Sequence, residues 1–415
     1  MTRDTSGMTR RQFLRGGMAV AGLTLGGGAS ALEPITVENE KKIRIGVVGG
    51  NFGCSFQWHE HPNCIVEAVS DLRPERRQRL KNVYKCGKSY ESLEKLILDR
   101  KIDAVAVFTG APDHVRHCIA AMKEGKHVIC AVPAAMALEG AEELLDTVKR
   151  TGLTYMMAET SYYRQAAISA RKWYQEGRFG EIISSEAEYH HPGAEKLSFD
   201  ADGKITWRHG LPPMLYPTHC TALITGITGE RLVQVTCVGW GDGEPEGTKN
   251  LYSNNPFWNA NAFFRTDRGR PFRVSRSRKV AVRGTERAQW IGSKMSFYMD
   301  HPNGLGPIII RAGEQMEKDD AGFERKLAQF EKYEQPLYWK TDMLPESLRH
   351  DSGHGGSHTF LTHEFIDALV NERPPTVNIY EALAYTVPGI IAHKSALQGG
   401  KQLKIPQFDP KPDVA

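Results

Sequence analysis

Short apolar runs alternate with amphipathic segments through the first part of the chain. We predict strands at 43–48, 65–70, 104–108, 127–130 and 154–157, and helices at 74–84, 112–125 and 137–150. Continuous apolar runs separated by helices are typical of parallel strands buried on both faces. The pattern therefore predicts a doubly wound parallel sheet of the Rossmann type, with ligands bound at its carboxyl edge.

The pattern changes after about residue 180. Strands are predicted at 181–189, 232–240, 260–266, 271–282, 288–291 and 295–299, with no long helices between them. Residues 312–350 are charged and weakly periodic, which indicates an excursion over the surface, and helices at 357–371 and 380–397 follow. We predict an α/β protein with a Rossmann domain over 41–160 and an α+β domain with a mainly antiparallel sheet over 161–408. The C-terminal helices of this second domain, within 357–397, are expected to pack back against the preceding part of the chain.

The first 31 residues carry a different pattern. Arg10 and Arg11 lie in a twin-arginine pattern, a Gly-rich apolar run follows, and Ala29-Ser30-Ala31 offers a cleavage site of small residues. These features predict a signal peptide over 1–31 and export to the periplasm by the twin-arginine pathway. The alternative is a basic N-terminal extension. A protein exported in the folded state can load a cofactor in the cytoplasm first.

Charge and cysteine content narrow the class of partner. The net charge is +4, and the segment 1–31 alone holds four arginines and one aspartate, so the remainder is nearly neutral. A neutral surface argues against nucleic-acid binding. The seven cysteines are scattered, with no Cys-x-x-Cys pair, and indicate no disulfide framework. No internal apolar run reaches the roughly 18–20 residues of a membrane helix, so we expect no membrane contact beyond export.

A glycine-rich loop follows the first strand and predicts a dinucleotide site. The loop consists of Gly49, Gly50, Asn51, Phe52 and Gly53, and we expect it to open a helix. Glycines there let backbone N–H groups approach a pyrophosphate, although the spacing departs from Gly-x-Gly-x-x-Gly.

The next strand ends in an acidic residue that supports the same site. Asp71 follows Gly49 by 22 residues, near the spacing at which a carboxylate meets the ribose hydroxyls of NAD. The neighbouring Arg73 weakens the preference for NAD, because an arginine at this place can bind the 2′-phosphate of NADP. The alternative is a phosphate loop for another ligand, or a fold that binds none.

Several local motifs resemble the Gfo/Idh/MocA family of oxidoreductases. They are Thr109-Gly-Ala-Pro-Asp-His114, Ala121-Met-Lys-Glu-Gly-Lys-His127-Val and Pro133-Ala-Ala. The resemblance implies NAD as cofactor, with Thr109, Pro112, His114 and Pro133 near it. Most members carry Glu-Lys-Pro after the fifth strand, where the lysine moves protons, but this chain has Ala131-Val132-Pro133.

One branch looks closer, the NAD-dependent N-acetylgalactosaminidase-type glycosidases of glycoside hydrolase family 109. The shared motifs are Val132-Pro-Ala-Ala-Met136, Met156-Met-Ala-Glu159, Glu188-Tyr189, Leu215-Tyr-Pro-Thr-His219 and Gly353-His-Gly-Gly356. The resemblance implies that Tyr189 and His219 are acid/base groups, that Tyr216 contacts the sugar, and that Glu159 lies near the nicotinamide. Ala131 departs from this branch too, which has glutamate there.

The chemistry of that branch is redox-neutral. NAD⁺ takes hydride from C3 of the sugar, the ketone acidifies C2–H, a base removes that proton, and the substituent at C1 leaves. Water then adds and the hydride returns, so the cofactor can stay bound. The reaction needs acid/base groups, and His219 with Tyr189 and Tyr216 suits it. The alternatives are aromatic packing for Tyr189 and a backbone-satisfied helix start for His219.

Further candidates for contact with the sugar are Tyr163, Trp207, Arg208 and His354, with core or surface packing as the alternative. His354, His358 and His363 raise the question of a metal, but Gly355 and Gly356 argue against a shared helix face, so we predict none. We predict an NAD-dependent carbohydrate or polyol oxidoreductase, with redox-neutral glycoside cleavage as its special form, and a homo-oligomer. The alternative is a non-catalytic sugar- or nucleotide-binding protein on the same fold.

Overall fold

The structure is a computed structural model that describes residues 41–200, 202–243, 250–252, 255–281, 284–301 and 304–409. The predicted signal peptide, 1–31, lies outside these residues. The described residues from 41 to 407 belong to one compact unit, and the architecture below is that of this unit.

The first sheet is built from the predicted apolar runs. Its strands are β1 (Ile43–Val48), β2 (Cys64–Ser70), β3 (Ser89–Tyr90), β4 (Ala104–Val107), β5 (His127–Cys130) and β6 (Tyr155–Met157). All pairs are parallel, in the order β3-β2-β1-β4-β5-β6, which is the Rossmann order. The last residue of β1, Val48, pairs with the last residues of β2 and β4. The loops that follow these strands therefore meet at one edge of the sheet.

Helices connect the strands of this sheet. They are α1 (Pro74–Tyr84), α2 (Leu93–Leu96), α3 (His114–Lys123) and α4 (Leu138–Thr151). The predicted amphipathic pattern of α4 is borne out, because Ala141, Leu144 and Leu145 are buried. Gly152 ends α4 at φ +67°, a left-handed conformation that glycine adopts without strain.

The second sheet has nine strands. They are β7 (Ile182–His190), β8 (Leu232–Trp240), β9 (Asn259–Thr266), β10 (Pro271–Ser277), β11 (Thr285–Gly292), β12 (Met295–Tyr298), β13 (Ile308–Lys318), β14 (Glu324–Lys332) and β15 (Leu403–Lys404). The order is β14-β13-β12-β11-β7-β10-β9-β8-β15. Only β7 and β10 pair in parallel among these described strands, so the sheet is mainly antiparallel, as predicted.

The predicted detail of this half of the chain needs two corrections. The strand predicted at 271–282 ends at Ser277. The segment predicted at 312–350 as a surface excursion is exposed in β14, but most of the hairpin β13–β14 lies in it and was not predicted. Every residue of β14 is exposed, so this strand has no buried face and lacks the alternation of apolar and polar residues by which a strand is recognised.

Four more helices connect and cover the sheets. They are α5 (Gln165–Gln175), α6 (Thr218–Thr228), α7 (Gly353–Val370) and α8 (Ile379–Leu397). The two C-terminal helices return to the first sheet, because α7 contacts β1 and α8 contacts β6 as well as β8. The apolar core between β1 and α7 includes Phe56, Trp58 and Phe365. No helix in the described ranges is long and apolar enough to cross a membrane.

Candidate active site

The glycine loop lies at the carboxyl end of β1, where its shape depends on close approach of the backbone. Gly49 has φ +103°, and a Cβ there would lie 2.2 Å from the carbonyl oxygen of Phe108. Gly53 N donates to Gly49 O at 3.0 Å and closes the turn. A 3₁₀ helix of four residues, Phe52–Ser55, follows, rather than the longer helix that we expected. Backbone N–H groups of the loop itself are therefore the candidates for binding phosphate.

Asp71 lies beside this loop at the end of β2. Its Oδ2 accepts a hydrogen bond from Gly50 N at 2.7 Å, and its Oδ1 accepts from Arg73 N at 2.9 Å. This position is the one at which a carboxylate meets the ribose hydroxyls of NAD. The guanidinium of Arg73 donates to Asp200 at 2.8 Å. Arg73 is thus paired with a carboxylate at the surface.

The next two loops of the sheet edge are joined by His114, which is 1% exposed. One ring nitrogen contacts Pro133 O at 2.8 Å and the other contacts Thr109 O at 3.2 Å. Burial disfavours the charged ring, but nearby Cys130 and the two carbonyls outweigh it and raise the pKa of His114 to about 9. His114 therefore braces the loops of Thr109 and Pro133, and the cofactor contact that the resemblance implies for it stays a prediction.

The remaining candidates of these loops differ in character. Pro112 lies in the short turn Ala111–Asp113, and Thr109 Oγ1 contacts His117 Nδ1 at 2.9 Å. Ala131 and Val132, which follow β5, are buried and apolar. The two residues that follow β5 therefore supply no side chain that can transfer a proton.

Glu159 follows β6 and is fully buried. Its Oε1 accepts hydrogen bonds from Ser161 N and from His219 Nδ1, both at 2.8 Å, while its Oε2 is buried without a hydrogen-bond partner among the described residues. An orphaned carboxylate oxygen at this sheet edge fits a site completed by a bound group. Glu159 was expected near the nicotinamide, and the structure adds that it holds the ring of His219.

His219 lies in the first turn of α6 and is 5% exposed. Burial alone would lower the pKa of His219, but the carboxylates of Glu159 and Glu286 outweigh burial and raise it. Burial likewise favours the neutral acid at Glu159, yet the imidazole lowers the pKa of that carboxyl group. Because Nδ1 is committed to Glu159, Nε2 is the nitrogen left for acid/base work.

Two phenols flank this imidazole. The ring centroid of Tyr189, on β7, is 4.7 Å from that of His219, and the centroid of Tyr216 is 5.4 Å away. The two phenol rings are 6.5 Å apart. Burial raises the pKa of the Tyr189 hydroxyl. The structure thus brings together the three residues that the sequence analysis had assigned to catalysis.

A second buried carboxylate joins this group and was missed from the sequence. Glu286, on β11, accepts from Ser161 Oγ and from Arg164 Nε, both at 2.6 Å. Burial raises the pKa of this carboxyl group, but Arg164 outweighs burial and lowers it to about 2. Its β-strand partner is Tyr189, so the pairing of β11 with β7 places Glu286 in the site. No local motif around Glu286 signals this position.

A cavity of about 630 Å³ opens beside these groups. Its lining includes Arg164, Tyr189, Glu286 and His354. His354 has φ +55°, and its Nδ1 lies 2.8 Å from Nε2 of His358. Across the described ranges, no three His, Cys, Asp or Glu side chains lie close enough to hold a metal ion.

The other substrate candidates fall into two groups. Trp207 packs on Gly110 of the first sheet domain, where a Cβ would lie 2.9 Å from the indole, and Arg208 stacks on Trp207 with 4.2 Å between guanidinium carbon and ring centroid. Tyr163, in contrast, lies in the core, stacked 5.5 Å from Phe360. We therefore correct Tyr163 from a sugar contact to a packing residue.

Family models match both halves of the chain. Residues 43–159 match the Gfo/Idh/MocA model, described as an oxidoreductase family with an NAD-binding Rossmann fold. Residues 266–411 match the model of the glycosyl hydrolase 109 C-terminal domain. The first match covers the glycine loop, Asp71 and Glu159, and the second covers Glu286 and His354.

Similar proteins agree with these matches. A glycosyl hydrolase family 109 protein of Solibacter usitatus is 27% identical over 76% of this chain and 74% of that protein. A second, of Akkermansia muciniphila, is 26% identical over 88% of this chain and 83% of that protein.

Solved structures share the fold. Levoglucosan dehydrogenase in complex with NADH and levoglucosan has a TM-score of 0.70 at 18% identity, covering 88% of this chain and 100% of that one. The myo-inositol 2-dehydrogenase of Lactobacillus plantarum has a TM-score of 0.66 at 18% identity, with the same coverage. The chain thus joins an NAD-binding domain of the Gfo/Idh/MocA oxidoreductase family to a C-terminal domain of the glycosyl hydrolase 109 type, and it is an NAD-dependent enzyme.

Proposed function

We propose that this enzyme acts on a carbohydrate or polyol and cleaves a glycosidic bond without net oxidation. Its relatives are named glycosyl hydrolase family 109 proteins. Two enzymes of similar fold are named levoglucosan dehydrogenase and myo-inositol 2-dehydrogenase. Those names support a sugar-like substrate. They favour it over the non-catalytic binding protein, which would have no use for a buried acid/base group.

One observation carries the proposal: the imidazole of His219 is held by the buried carboxylate of Glu159 at 2.8 Å, between two phenols. Desolvating a carboxylate and an imidazole is costly, and such pairs persist where their protonation is used. They lie at the sheet edge where a Rossmann domain presents its nicotinamide.

The bound cofactor would supply hydride transfer to and from a sugar carbon. Glu159 would orient the ring of His219 through Nδ1, and Nε2 would accept the proton of the hydroxyl being oxidised. Tyr189 and Tyr216 would hold the sugar hydroxyls and exchange protons with them. Gly49 and Gly50 would present backbone N–H groups to the pyrophosphate, and Asp71 would bind the ribose.

The end of β5 supports return of the hydride rather than net oxidation. A lysine that moves protons beside the nicotinamide serves a dehydrogenase, and this chain has the buried, apolar Ala131 and Val132 there. Acid/base work then rests on His219 and the phenols, which face the substrate side of the site. A cofactor that is regenerated in every cycle needs no exchange.

Retention of the cofactor suits the location that we propose, the periplasm. The twin-arginine pattern over 1–31 supports export of a folded protein already loaded with NAD. Fractionation of cells that express the full chain, and of cells that express an Arg10→Lys, Arg11→Lys variant, tests this. Equal periplasmic amounts of the two proteins would remove the proposal.

We also propose a homo-oligomer. The second sheet exposes Val238, Trp240 and Phe263 on its outer face, and apolar side chains of this size favour an interface between subunits. Light scattering on the purified chain gives the mass directly, and a monomer at micromolar concentration would contradict the proposal.

Activity assays separate the two modes of chemistry. The purified enzyme is incubated with nitrophenyl glycosides of both anomers, with and without added NAD, and with the corresponding free sugars. Release of nitrophenol without accumulation of NADH is the expected result. Steady accumulation of NADH with free sugars and no cleavage would instead establish a dehydrogenase.

A further inference from the structure

Around the phenols of Tyr189 and Tyr216, positively charged side chains outnumber the carboxylates that could pair with them. The three buried or half-buried carboxylates of this region each have a partner, since Glu159 contacts His219, Glu286 contacts Arg164, and Glu188 contacts Arg287 at 2.8 Å. Arg208 and Arg276 have no carboxylate partner among the residues that the structure describes. An oxidised nicotinamide at this edge would add another positive charge.

Arg276, on β10, is the buried member of this pair of cations. It is 3% exposed, and its guanidinium carbon lies 4.5 Å from the ring centroid of Tyr189. Nη1 donates to the carbonyl oxygens of Tyr189 and Ser277, but Nε is buried without a partner in the described part of the chain. A buried cation with an unused donor points to an anion that completes the site.

Arg208 is the accessible member. Its guanidinium carbon lies 4.2 Å from the ring centroid of Trp207 and 5.5 Å from that of Tyr216. A guanidinium stacked on an aromatic face keeps its N–H edge free, and that edge matches the two oxygens of a carboxylate. Stacking therefore prepares Arg208 to bind an anion beside Tyr216.

The backbone of this segment is held in place before any ligand binds. The hydroxyl of Tyr252 donates to Trp207 O, and Arg278 Nη2 donates to Arg208 O at 2.9 Å. Arg278 also donates to Leu211 O at 2.7 Å. A pinned backbone with a stacked side chain loses little conformational entropy on binding, which favours specific contact over a loose surface charge.

We propose that the substrate is an anionic sugar, whose acidic group binds to the N–H edge of Arg208 while Arg276 supplies a second positive charge behind Tyr189. This inference rests on the proposed function, because it places the sugar beside Tyr216 and His219, whose rings contact each other. The chemistry of recognition is shared by a carboxylate on the ring and a sulfate on a hydroxyl. Asp300, an exposed carboxylate in the lining of the cavity, disfavours an acidic group on that side of the site.

Matched pairs of sugars test this preference. Binding to the NAD-loaded full-length enzyme is measured by calorimetry, in a buffer free of phosphate and sulfate, for glucose and glucuronate, galactose and galacturonate, and galactose 6-sulfate. Charge-assisted hydrogen bonds of the usual strength predict about ten-fold to one hundred-fold tighter binding of an acid than of its neutral counterpart. A preference for the uronates or for the sulfate identifies the acidic group.

Variants assign the effect to the residue. Arg208→Gln should remove the preference for the acidic sugar, and Arg208→Lys should keep part of it. Arg273→Gln is the matched control, because Arg273 lies on β10 and pairs with Glu186 at 2.6 Å. The Arg273→Gln variant should prefer acidic over neutral sugars as strongly as the unchanged enzyme does.

The outcomes separate this inference from the proposed function. Equal binding of acid and neutral sugars, binding of neither, or an undiminished preference in Arg208→Gln overturns the anionic substrate. Tight binding of an acidic sugar without reduction of bound NAD, and without cleavage of any of its glycosides, contradicts the proposed function and leaves the anion site standing.

Discussion

His219 and His358 are both buried, but their surroundings set opposite protonation. His219 contacts the carboxylate of Glu159, and its pKa is raised in spite of burial. His358 contacts a second imidazole, His354 Nδ1, at 2.8 Å, and donates from its own Nδ1 to Ser55 O at 2.8 Å. Burial and His354 lower the pKa of His358 to about 4.

The difference shows what burial does to an imidazole with and without a carboxylate. Desolvation disfavours the charged ring in both places, but only the region of Glu159 offers a fixed negative charge that reverses the effect. A ring that holds and releases a proton near neutral pH suits catalysis, whereas a ring that stays neutral suits packing. The region of His219 is therefore the candidate acid/base centre, and His358, stacked 4.6 Å from Phe56, belongs to the framework.

The largest effect is expected for His219→Ala. Loss of a positioned acid/base group should reduce kcat/KM for sugar turnover by about 10²–10⁴-fold. Thermal unfolding and retention of NAD should stay close to those of the unchanged enzyme, which separates catalysis from folding. Undiminished turnover in a folded variant would remove His219 from the reaction and end the contrast between the two histidines.

Glu286→Gln tests whether the buried carboxylates stabilise the acid/base centre. The pKa of Glu286 is lowered to about 2, below the value of about 4.3 in an unfolded chain, so its contribution to stability is present above the unfolded pKa and lost as the pH falls toward 2. The variant should lose about 3 kcal/mol of unfolding free energy at pH 7, since it also leaves Arg164 unpaired.

Urea unfolding at a series of pH values measures this loss. The difference between the variant and the unchanged protein should shrink as the pH falls below the unfolded pKa. Glu186→Gln, which removes the partner of the half-buried Arg273 on the same sheet, is the control and should cost at most about 1 kcal/mol. A difference that stays constant with pH would contradict the assignment of the charge to Glu286.

Much of the fold follows from the sequence because the parallel strands are apolar throughout. Burial on both faces makes β1 and β4 readable as runs, and parallel pairing then places Gly49, Asp71 and Glu159 at one edge without further information. The family motif supplied Tyr189, Tyr216 and His219. The hairpin β13–β14 was missed, because it is exposed and carries no such pattern.

The contacts that complete the site were not predictable from local patterns. Glu286 reaches Arg164 across 122 residues of chain, and their contact depends on the register of β11 against β7. His114 was predicted as a cofactor contact, and its two hydrogen bonds to backbone carbonyls add a brace between loops that no local pattern predicted. Such roles depend on which tertiary partners surround a side chain, and residue type alone does not specify them.

Glu159→Gln sharpens the comparison, because it removes the carboxylate that contacts His219 and leaves this ring, like His358, without one. The variant keeps a hydrogen-bonding oxygen but loses the charge, while Glu286 and Arg164 remain near the ring. Loss of the charge-assisted hydrogen bond should reduce kcat by about ten-fold to one hundred-fold. Because Glu159 raises the pKa of His219, its removal should shift the ascending limb of the kcat/KM profile to lower pH.

The pH profile also separates this role from a purely structural one. A variant that is merely less stable would lose activity at all pH values without moving the limb. An unshifted limb with reduced kcat would therefore contradict the role of Glu159 in setting the protonation of His219.

The smallest effect is expected for His358→Gln. The folded pKa of His358, about 4, lies below the unfolded value of about 6.5, so its contribution to stability is present above the unfolded pKa and is lost as the pH falls through the folded pKa. Glutamine has no such titration and can still donate to Ser55 O. The variant should be less stable by about 1 kcal/mol at pH 7, as measured by urea unfolding. The unchanged protein alone loses about 2 kcal/mol between pH 7 and pH 5, so the difference should disappear or reverse near pH 5. Because the ring stays neutral during turnover, the limb of kcat/KM should not move, and a shift as large as that of Glu159→Gln would place His358 in the acid/base centre after all.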